Sequence, residues 1–126
     1  MWPGPAVDEK RGFGQTAVPI QEHSFHASKE IMMEQRKQLQ AIVTGRVQGV
    51  SFRYYTRQQA EQLGLVGFVR NQRDGSVFVE AEGSETDLEK LLRFLHQGSP
   101  QARVTEVKTS WQPASEQYKR FQVRWF

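Results

Sequence analysis

A binding site for a doubly charged oxyanion is indicated by residues 45–54, which read GRVQGVSFRY. Two glycines flank a short loop, and a helix-forming stretch begins directly after it. Backbone N–H groups of such a loop and of a helix N-terminus can point at an anion, and Arg53 would add a permanently charged guanidinium. A plain connection between a strand and a helix can have the same glycine spacing, because glycine readily adopts a positive φ. A nucleotide P-loop is excluded, since it has four residues between its glycines and then Lys-Ser or Lys-Thr.

Most covalent and metal-assisted routes to phosphate chemistry are excluded by the residues that the sequence lacks. There is no cysteine, which rules out cysteine phosphatases, thiolate metal sites and disulfides. After residue 37 the only aspartates are Asp74, in a predicted hairpin turn, and Asp87, at a predicted helix start, and both fit structural roles. The only histidine in that part is His96, while His23 and His26 lie near the N-terminus, so we expect no metal site.

Hydrolysis of an acyl phosphate remains feasible with the groups that are left. Its leaving group is a carboxylate with a pKa of about 4 to 5, which departs without a general acid. Phosphoryl transfer through a loose transition state depends mainly on positioning and charge stabilisation. A neutral polar group that holds a water near Arg53 would complete such a site, and Asn71, at the end of a predicted strand, is the candidate. An Asn before a turn also commonly bonds its own backbone, so its position alone leaves both interpretations open.

The apolar pattern after Lys37 alternates between strand and helix periods. The elements predicted from it are, in order, a strand at 39–43, a helix at 51–63, strands at 65–72 and 76–82 joined by a turn at 73–75, a helix between 84 and 98, and strands at 104–111 and 121–125. Glycines at positions 64 and 98 are typical of helix C-termini. Val104 and Val107 can share one face of their strand only if a bulge lies between them.

This order of elements predicts an α+β fold, the ferredoxin-like βαββαβ sandwich, in which two helices cover one face of an antiparallel sheet. The glycine loop then joins the first strand to the first helix at one end of the sheet. Residues 37–126 form the predicted domain. Residues 1–36 begin with many Pro and Gly and show no period, so we interpret them as a flexible N-terminal extension, native or added for expression. A short helix at residues 28–38 is compatible with the pattern.

Two segments resemble the signatures of the acylphosphatase family. The first signature is similar to GRVQGVSFR at residues 45–53, and the second to GFVRNQRDGSV at residues 67–77, where Phe68 replaces the Trp or Tyr of most members. The resemblance implies a ferredoxin-like fold, hydrolysis of acyl phosphates to a carboxylate and phosphate, and no cofactor. It implies that Arg53 binds the phosphate and that Asn71 positions the attacking water. It also implies a phosphate cradle formed by the backbone of Arg46, Val47, Gln48, Gly49 and Val50.

Composition and the resemblance together predict the setting in which the domain works. The net charge of +3 is spread without a Lys/Arg run, so we expect a small-molecule acyl phosphate as the partner and no nucleic acid. No apolar run approaches a transmembrane span and no signal-peptide core is present, so we expect a cytoplasmic protein without a membrane partner. The sequence does not indicate an oligomeric state, and a monomer is the default expectation. Two alternatives stay open: a non-catalytic acylphosphatase-like module that binds an anion, and a domain that binds nucleic acid on its sheet.

Overall fold

The computed structural model describes residues 36–125, which form five strands and two helices. The strands are β1 (Arg36–Arg46), β2 (Val66–Asn71), β3 (Val77–Ser84), β4 (Arg103–Pro113) and β5 (Phe121–Arg124), and the helices are α1 (Phe52–Gln62) and α2 (Glu85–Gln97). Their order confirms the predicted βαββαβ arrangement with one further strand. The helix predicted at residues 28–38 is wrong for 36–38, which belong to β1, and its remainder lies outside the described residues. Neither described helix combines the length and the apolarity that crossing a membrane requires.

All five strands form one sheet in the order β4-β1-β3-β2-β5. The predicted hairpin is confirmed, since β2 pairs antiparallel with β3, and β1 pairs antiparallel with both β3 and β4. In contrast, β5 pairs parallel with β2, from Gly67 opposite Phe121 to Arg70 opposite Arg124, so the sheet is mixed rather than wholly antiparallel. The reason is that the chain crosses from β4 at one edge to β5 at the other before it re-enters the sheet. The carboxyl ends of β2 and β5 therefore lie side by side.

A β-bulge places the two valines of β4 on one face. The pairing register of β1 with β4 shifts between Thr44 and Gly45, and Thr105 of β4 has no partner residue in the ladder. Its hydroxyl donates a hydrogen bond to the Thr44 carbonyl at 3.1 Å. Val104 and Val107 both pack against the core, which confirms the predicted bulge.

The helices bury a single apolar core against one face of the sheet. The buried helix residues are Phe52, Thr56 and Ala60 of α1 and Leu88, Leu91 and Leu95 of α2. The buried strand residues of the same core are Leu39, Ala41, Val43, Val69, Val77, Val79 and Ala81. The alternation of β3 is thus confirmed, since its valines and alanine face the helices.

Three of the four helix ends follow the predicted capping rules. At the start of α2 the Ser84 hydroxyl accepts a hydrogen bond from the Asp87 N–H at 3.2 Å. After α1, Gly64 has a φ of 72° and its N–H donates to the Glu61 carbonyl at 3.0 Å. Gly98, with a φ of 82°, ends α2. The start of α1 differs, because Ser51 makes no side-chain cap and has a φ of 60°.

The sheet face without helices carries a buried carboxylate, Glu82, which is 0% exposed. Residues 114–120, here called the strap, cross this face between β4 and β5. Glu82 accepts hydrogen bonds from the Gln38 amide at 2.6 Å, from the Ser115 N–H at 2.8 Å and hydroxyl at 2.6 Å, and from the Glu116 N–H at 3.0 Å. Burial raises the pKa of Glu82, but these hydrogen bonds outweigh it and hold the pKa below its usual value.

A second carboxylate on this face fixes the middle of the strap. Glu80 accepts hydrogen bonds from the Gln40 amide at 2.8 Å and from the Tyr118 hydroxyl. Burial and the bond to Glu80 raise the pKa of Tyr118 to about 12. The Tyr118 ring also packs at 6.0 Å from that of Phe68. The strap is thereby attached to β3 at two points, and it leads directly into β5.

Candidate active site

A cavity of about 500 Å³ lies where the β1–α1 loop, the start of α1 and the ends of β2 and β5 meet. The loop and helix contribute Val47, Gly49, Ser51, Arg53, Tyr54 and Arg57. The strand ends contribute Asn71, Val123 and Trp125. Two arginines and no carboxylate line the cavity among the described residues, so its electrostatic potential favours an anion.

The loop and the first turn of α1 present N–H groups that no backbone acceptor uses. Tyr55 is the first residue after β1 whose N–H has a backbone partner, the Ser51 carbonyl at 3.1 Å; the N–H groups of residues 47–54 have none within 36–125. Gly49, with a φ of 74°, and Ser51, with a φ of 60°, are both left-handed. Left-handed residues next to ordinary ones are typical of backbone nests, which bind anions.

Glycine at position 49 is required by its backbone angle and not by lack of space. A Cβ at Gly49 would meet nothing within 4 Å. Ser51 adopts a similar angle although it has a Cβ, a conformation that costs about 1–3 kcal/mol at non-glycine residues. Such strain persists only where neighbouring contacts enforce it, and here the strained residue caps the helix beside the cavity.

Two side-chain contacts hold the loop in place. The Gln48 amide donates to the carbonyls of Gln72 and Ser76, each at 2.8 Å, and so ties the loop to the β2–β3 hairpin. On the other side, the Ser99 hydroxyl donates to the Val50 carbonyl at 2.9 Å in a buried position after α2. The loop is therefore fixed from both flanks while its middle faces the cavity.

Arg53 projects from the first turn of α1 toward the end of β5. Its Nη1 donates to the Arg124 carbonyl at 3.2 Å, and its guanidinium carbon lies 4.3 Å from the centre of the Trp125 ring. Stacking on an indole and one carbonyl bond restrict the guanidinium without neutralising it. Further N–H donors of Arg53 remain for a ligand in the cavity.

Asn71 lies at the end of β2, on the strand side of the cavity. Its side-chain oxygen is buried yet accepts no hydrogen bond from another group in residues 36–125. An Asn before a turn commonly bonds its own backbone, but here Asp74 has that role, since its carboxylate accepts from the Ser76 N–H at 3.0 Å. A second hydrogen bond, from the Ser76 hydroxyl to the same carboxylate at 2.6 Å, is the main reason that the pKa of Asp74 is lowered, and the N–H bond adds to it. The Asn71 amide is thus available to a ligand or a water.

The structure brings most of the predicted site residues to one place. Arg53, Asn71, Val47 and Gly49 line the same cavity. The other members of the predicted cradle have different surroundings: Arg46 pairs with Arg103 at the end of β1, the Gln48 side chain bonds the hairpin, and Val50 is buried in the core. None of these three residues lines the cavity, and the cradle role of their backbone stays a prediction.

Six cavity residues were not predicted as site residues from the sequence: Ser51, Phe52, Tyr54, Arg57, Val123 and Trp125. Trp125 comes from a strand that had no assigned neighbour, and no local pattern indicates that β5 lies beside β2. Tyr54 and Arg57 belong to the predicted helix. The four-residue spacing of Arg57 from Arg53 was a usable signal, because side chains at that spacing share a helix face. Within residues 36–125 the structure contains no group of three His, Asp or Glu side chains arranged to hold a metal.

Comparison with known proteins gives one consistent family. The family model described as Acylphosphatase matches residues 39–123. An acylphosphatase of Salinibacter ruber is 47% identical over 88 residues, which cover 70% of this chain and 93% of that protein. The crystal structure of acylphosphatase from Bacillus subtilis matches with a TM-score of 0.69 and 37% identity, over 71% of this chain and 99% of that one.

A larger protein contains the same kind of domain. The crystal structure of T. kodakarensis HypF matches with a TM-score of 0.62 and 28% identity, over 70% of this chain but only 12% of HypF. The family match itself extends from β1 into β5, and so includes every residue that lines the cavity except Trp125. The chain therefore belongs to the acylphosphatase family.

Proposed function

We propose that this chain hydrolyses acyl phosphates by attack of water on a phosphoryl group bound between the β1–α1 loop and Arg53. Backbone N–H groups of residues 46–50 and the start of α1 surround the phosphoryl oxygens. Arg53 adds a fixed positive charge beside them. These donors stabilise the charge that the phosphoryl group carries in the transition state, which is where most of the rate enhancement arises in such reactions.

Asn71 positions the attacking water in this mechanism. Its unpaired oxygen accepts a hydrogen bond from the water, and its amide can donate to the phosphoryl group. The water oxygen forms the new bond to phosphorus while the bond to the bridging acyl oxygen breaks. The acyl group leaves as a carboxylate with the electron pair, and the proton of the water passes to the product phosphate. A carboxylate needs no general acid to leave, so no His or Asp is required.

The observation that carries this proposal is the run of N–H groups at residues 47–54 without a backbone acceptor, next to Arg53 and Asn71 in one cavity. Unpaired N–H groups occur at the start of every α-helix, but here two left-handed residues, an arginine and an unpaired Asn oxygen accompany them at the same cavity. The family membership supports the same assignment.

Replacement of Arg53 by Ala tests the phosphate site. We expect benzoyl phosphate hydrolysis to fall by at least about a thousandfold, since a single Arg on a transferred phosphoryl group contributes that much. The exposed Arg93 of α2 provides a control with the same change of charge, and Arg93→Ala should keep the parent rate. Parent-like hydrolysis by a folded Arg53→Ala variant would refute the assignment. Activity that disappears in EDTA and returns with added metal would also refute it.

The cellular setting that we propose is a cytoplasmic monomer acting on a small acyl phosphate. The alternative is a non-catalytic anion-binding module. We keep this alternative because the matching domain of HypF forms only a small part of a larger chain. Bound inorganic phosphate is expected for both functions. Turnover of benzoyl phosphate by the parent chain separates them, because only the enzyme releases benzoate.

A further inference from the structure

The cavity extends along α1 beyond the groups that the proposed mechanism uses, and Arg57 lies in that extension. Arg57 comes one helical turn after Arg53, about 6 Å further along the axis at 1.5 Å per residue. Side chains at this spacing project from the same helix face. The guanidinium carbon of Arg57 lies 5.9 Å from the centre of the Tyr54 ring, and both residues line the cavity.

Arg57 has no carboxylate partner within residues 36–125. The ion pairs of this part of the chain join Arg36 to Glu116 and Lys37 to Glu85. The Nε of Arg57 is buried and donates to no group of the described residues. A guanidinium without a carboxylate partner among the described residues, at a cavity wall without carboxylates, favours a second anionic group next to the phosphoryl site.

The direction of in-line attack places the acyl group toward Arg57. In this displacement the leaving oxygen lies opposite the attacking water. Asn71 holds the water on the strand side of the cavity, so the acyl group points to the opposite wall. That wall is α1, where the Tyr54 ring is available to contact the acyl chain and Arg57 follows it.

Other arginines near the site lie on the wrong side for this contact. A neighbouring cavity of about 430 Å³ is lined by Arg70 and Arg73 and shares Asn71 and Trp125 with the first. Because Asn71 holds the water, this second cavity adjoins the attacking group and not the leaving group. Among the described cationic residues that line either cavity, Arg57 is thus the one placed to contact the far end of the acyl group.

We propose that Arg57 forms a subsite for a carboxylate at the far end of the acyl group, so that the preferred substrates are monoacyl phosphates of dicarboxylic acids. A single guanidinium matches the charge and the two oxygens of one carboxylate. This inference rests on the hydrolysis proposed above. It adds a specificity-determining residue that touches the part of the substrate that does not react.

Matched aromatic substrates test the subsite. We would measure kcat/KM for 3- and 4-carboxybenzoyl phosphate and for their methyl esters, which have similar shape but no second charge. The preference is kcat/KM for the carboxylic acid divided by kcat/KM for its methyl ester, taken for the isomer that the parent hydrolyses more efficiently. In Arg57→Gln we expect this ratio to fall roughly threefold to tenfold, as for loss of one partly exposed charge pair. The control Arg93→Gln, which removes an exposed charge from α2, should keep the parent ratio.

The salt dependence of the parent gives a second readout that needs no variant. Screening weakens a contact between two partly exposed charges, so the parent ratio should decline as NaCl increases, with the ester rate as reference. An equal acid-to-ester ratio in the parent and in Arg57→Gln would overturn the inference. This includes a variant in which all rates fall by the same factor, because Arg57 would then contact the leaving oxygen and not a second carboxylate. If the parent hydrolyses neither these substrates nor benzoyl phosphate, the proposed function fails instead.

Discussion

At the scale of single residues, Arg53 and Asn71 reach the cavity from opposite walls and are held by different means. Arg53 is positioned by the Arg124 carbonyl and the Trp125 ring, whereas the Asn71 oxygen has no protein donor among the described residues. Leaving a buried carbonyl unpaired costs about 1–3 kcal/mol. In the mechanism that we propose, a bound water would offset that cost, and the same contact would orient the water for attack.

Replacing Asn71 by Ala should separate rate from affinity. We expect kcat for benzoyl phosphate to fall about a hundredfold, the usual effect of losing one positioned polar group. The constant for competitive inhibition by inorganic phosphate should change little, because the loop and Arg53 hold the phosphate. Gln122→Ala, at an exposed position of β5, is the control. An unchanged kcat, or a loss confined to phosphate affinity, would remove Asn71 from its proposed role.

At the scale of elements, the loop depends on the β2–β3 hairpin through one side chain. Gln48 was predicted to contribute only its backbone, but its amide bonds two hairpin carbonyls. Gln48→Ala should lower the free energy of unfolding by about 1–2 kcal/mol, the net value of two such bonds. It should also raise the inhibition constant of inorganic phosphate roughly threefold to tenfold, because the ligand must then order the loop itself.

Urea unfolding and phosphate inhibition measure these two effects on the same variant. Gln58→Ala, at an exposed position of α1, is the matched control for loss of a glutamine side chain. If Gln48→Ala is destabilised while phosphate inhibition stays at the parent value, the hairpin contact stabilises the fold but does not shape the cradle.

Most elements were predictable because each carries its own local pattern. Alternating valines indicated β3, the leucine spacing indicated α2, and the positions of Val104 and Val107 even required the bulge. The direction of β5 had no such signal, because parallel pairing with β2 follows from the path of the strap and not from the residues of β5. For the same reason the sequence motifs indicated Arg53 and Asn71 as site residues, whereas no local pattern indicated that Trp125 lines the cavity.

At the scale of the whole molecule, the buried Glu82 joins the sheet to the strap and makes stability depend on pH. Its pKa is depressed in the folded state, so its contribution is present above the unfolded pKa of about 4.3 and is lost as pH falls through the folded pKa. In Glu82→Gln, an amide N–H₂ group replaces one carboxylate oxygen, so donors of the strap face another donor and lose an acceptor. At pH 7 this variant should be less stable by about 1–3 kcal/mol, the cost of unpaired buried groups.

The difference between parent and Glu82→Gln should narrow as the pH falls below about 4, because the parent carboxylate then becomes protonated as well. Thermal unfolding at pH 7 and at pH 3 measures this. Glu89→Gln, at an exposed position of α2, should show no such pH dependence. A gap of equal size at both pH values would mean that packing, and not the charge of Glu82, holds the strap.

The bond from Arg53 to the Arg124 carbonyl joins residues 71 positions apart in the chain. During translation the loop, α1 and Asn71 leave the ribosome long before β5 does. A growing chain can therefore assemble the antiparallel part of the sheet while its phosphate site still lacks one wall. In the mechanism that we propose, catalytic competence would be acquired only when β5 has been synthesised. A product shortened by proteolysis before β5 would keep both signature motifs without the arrangement that positions Arg53.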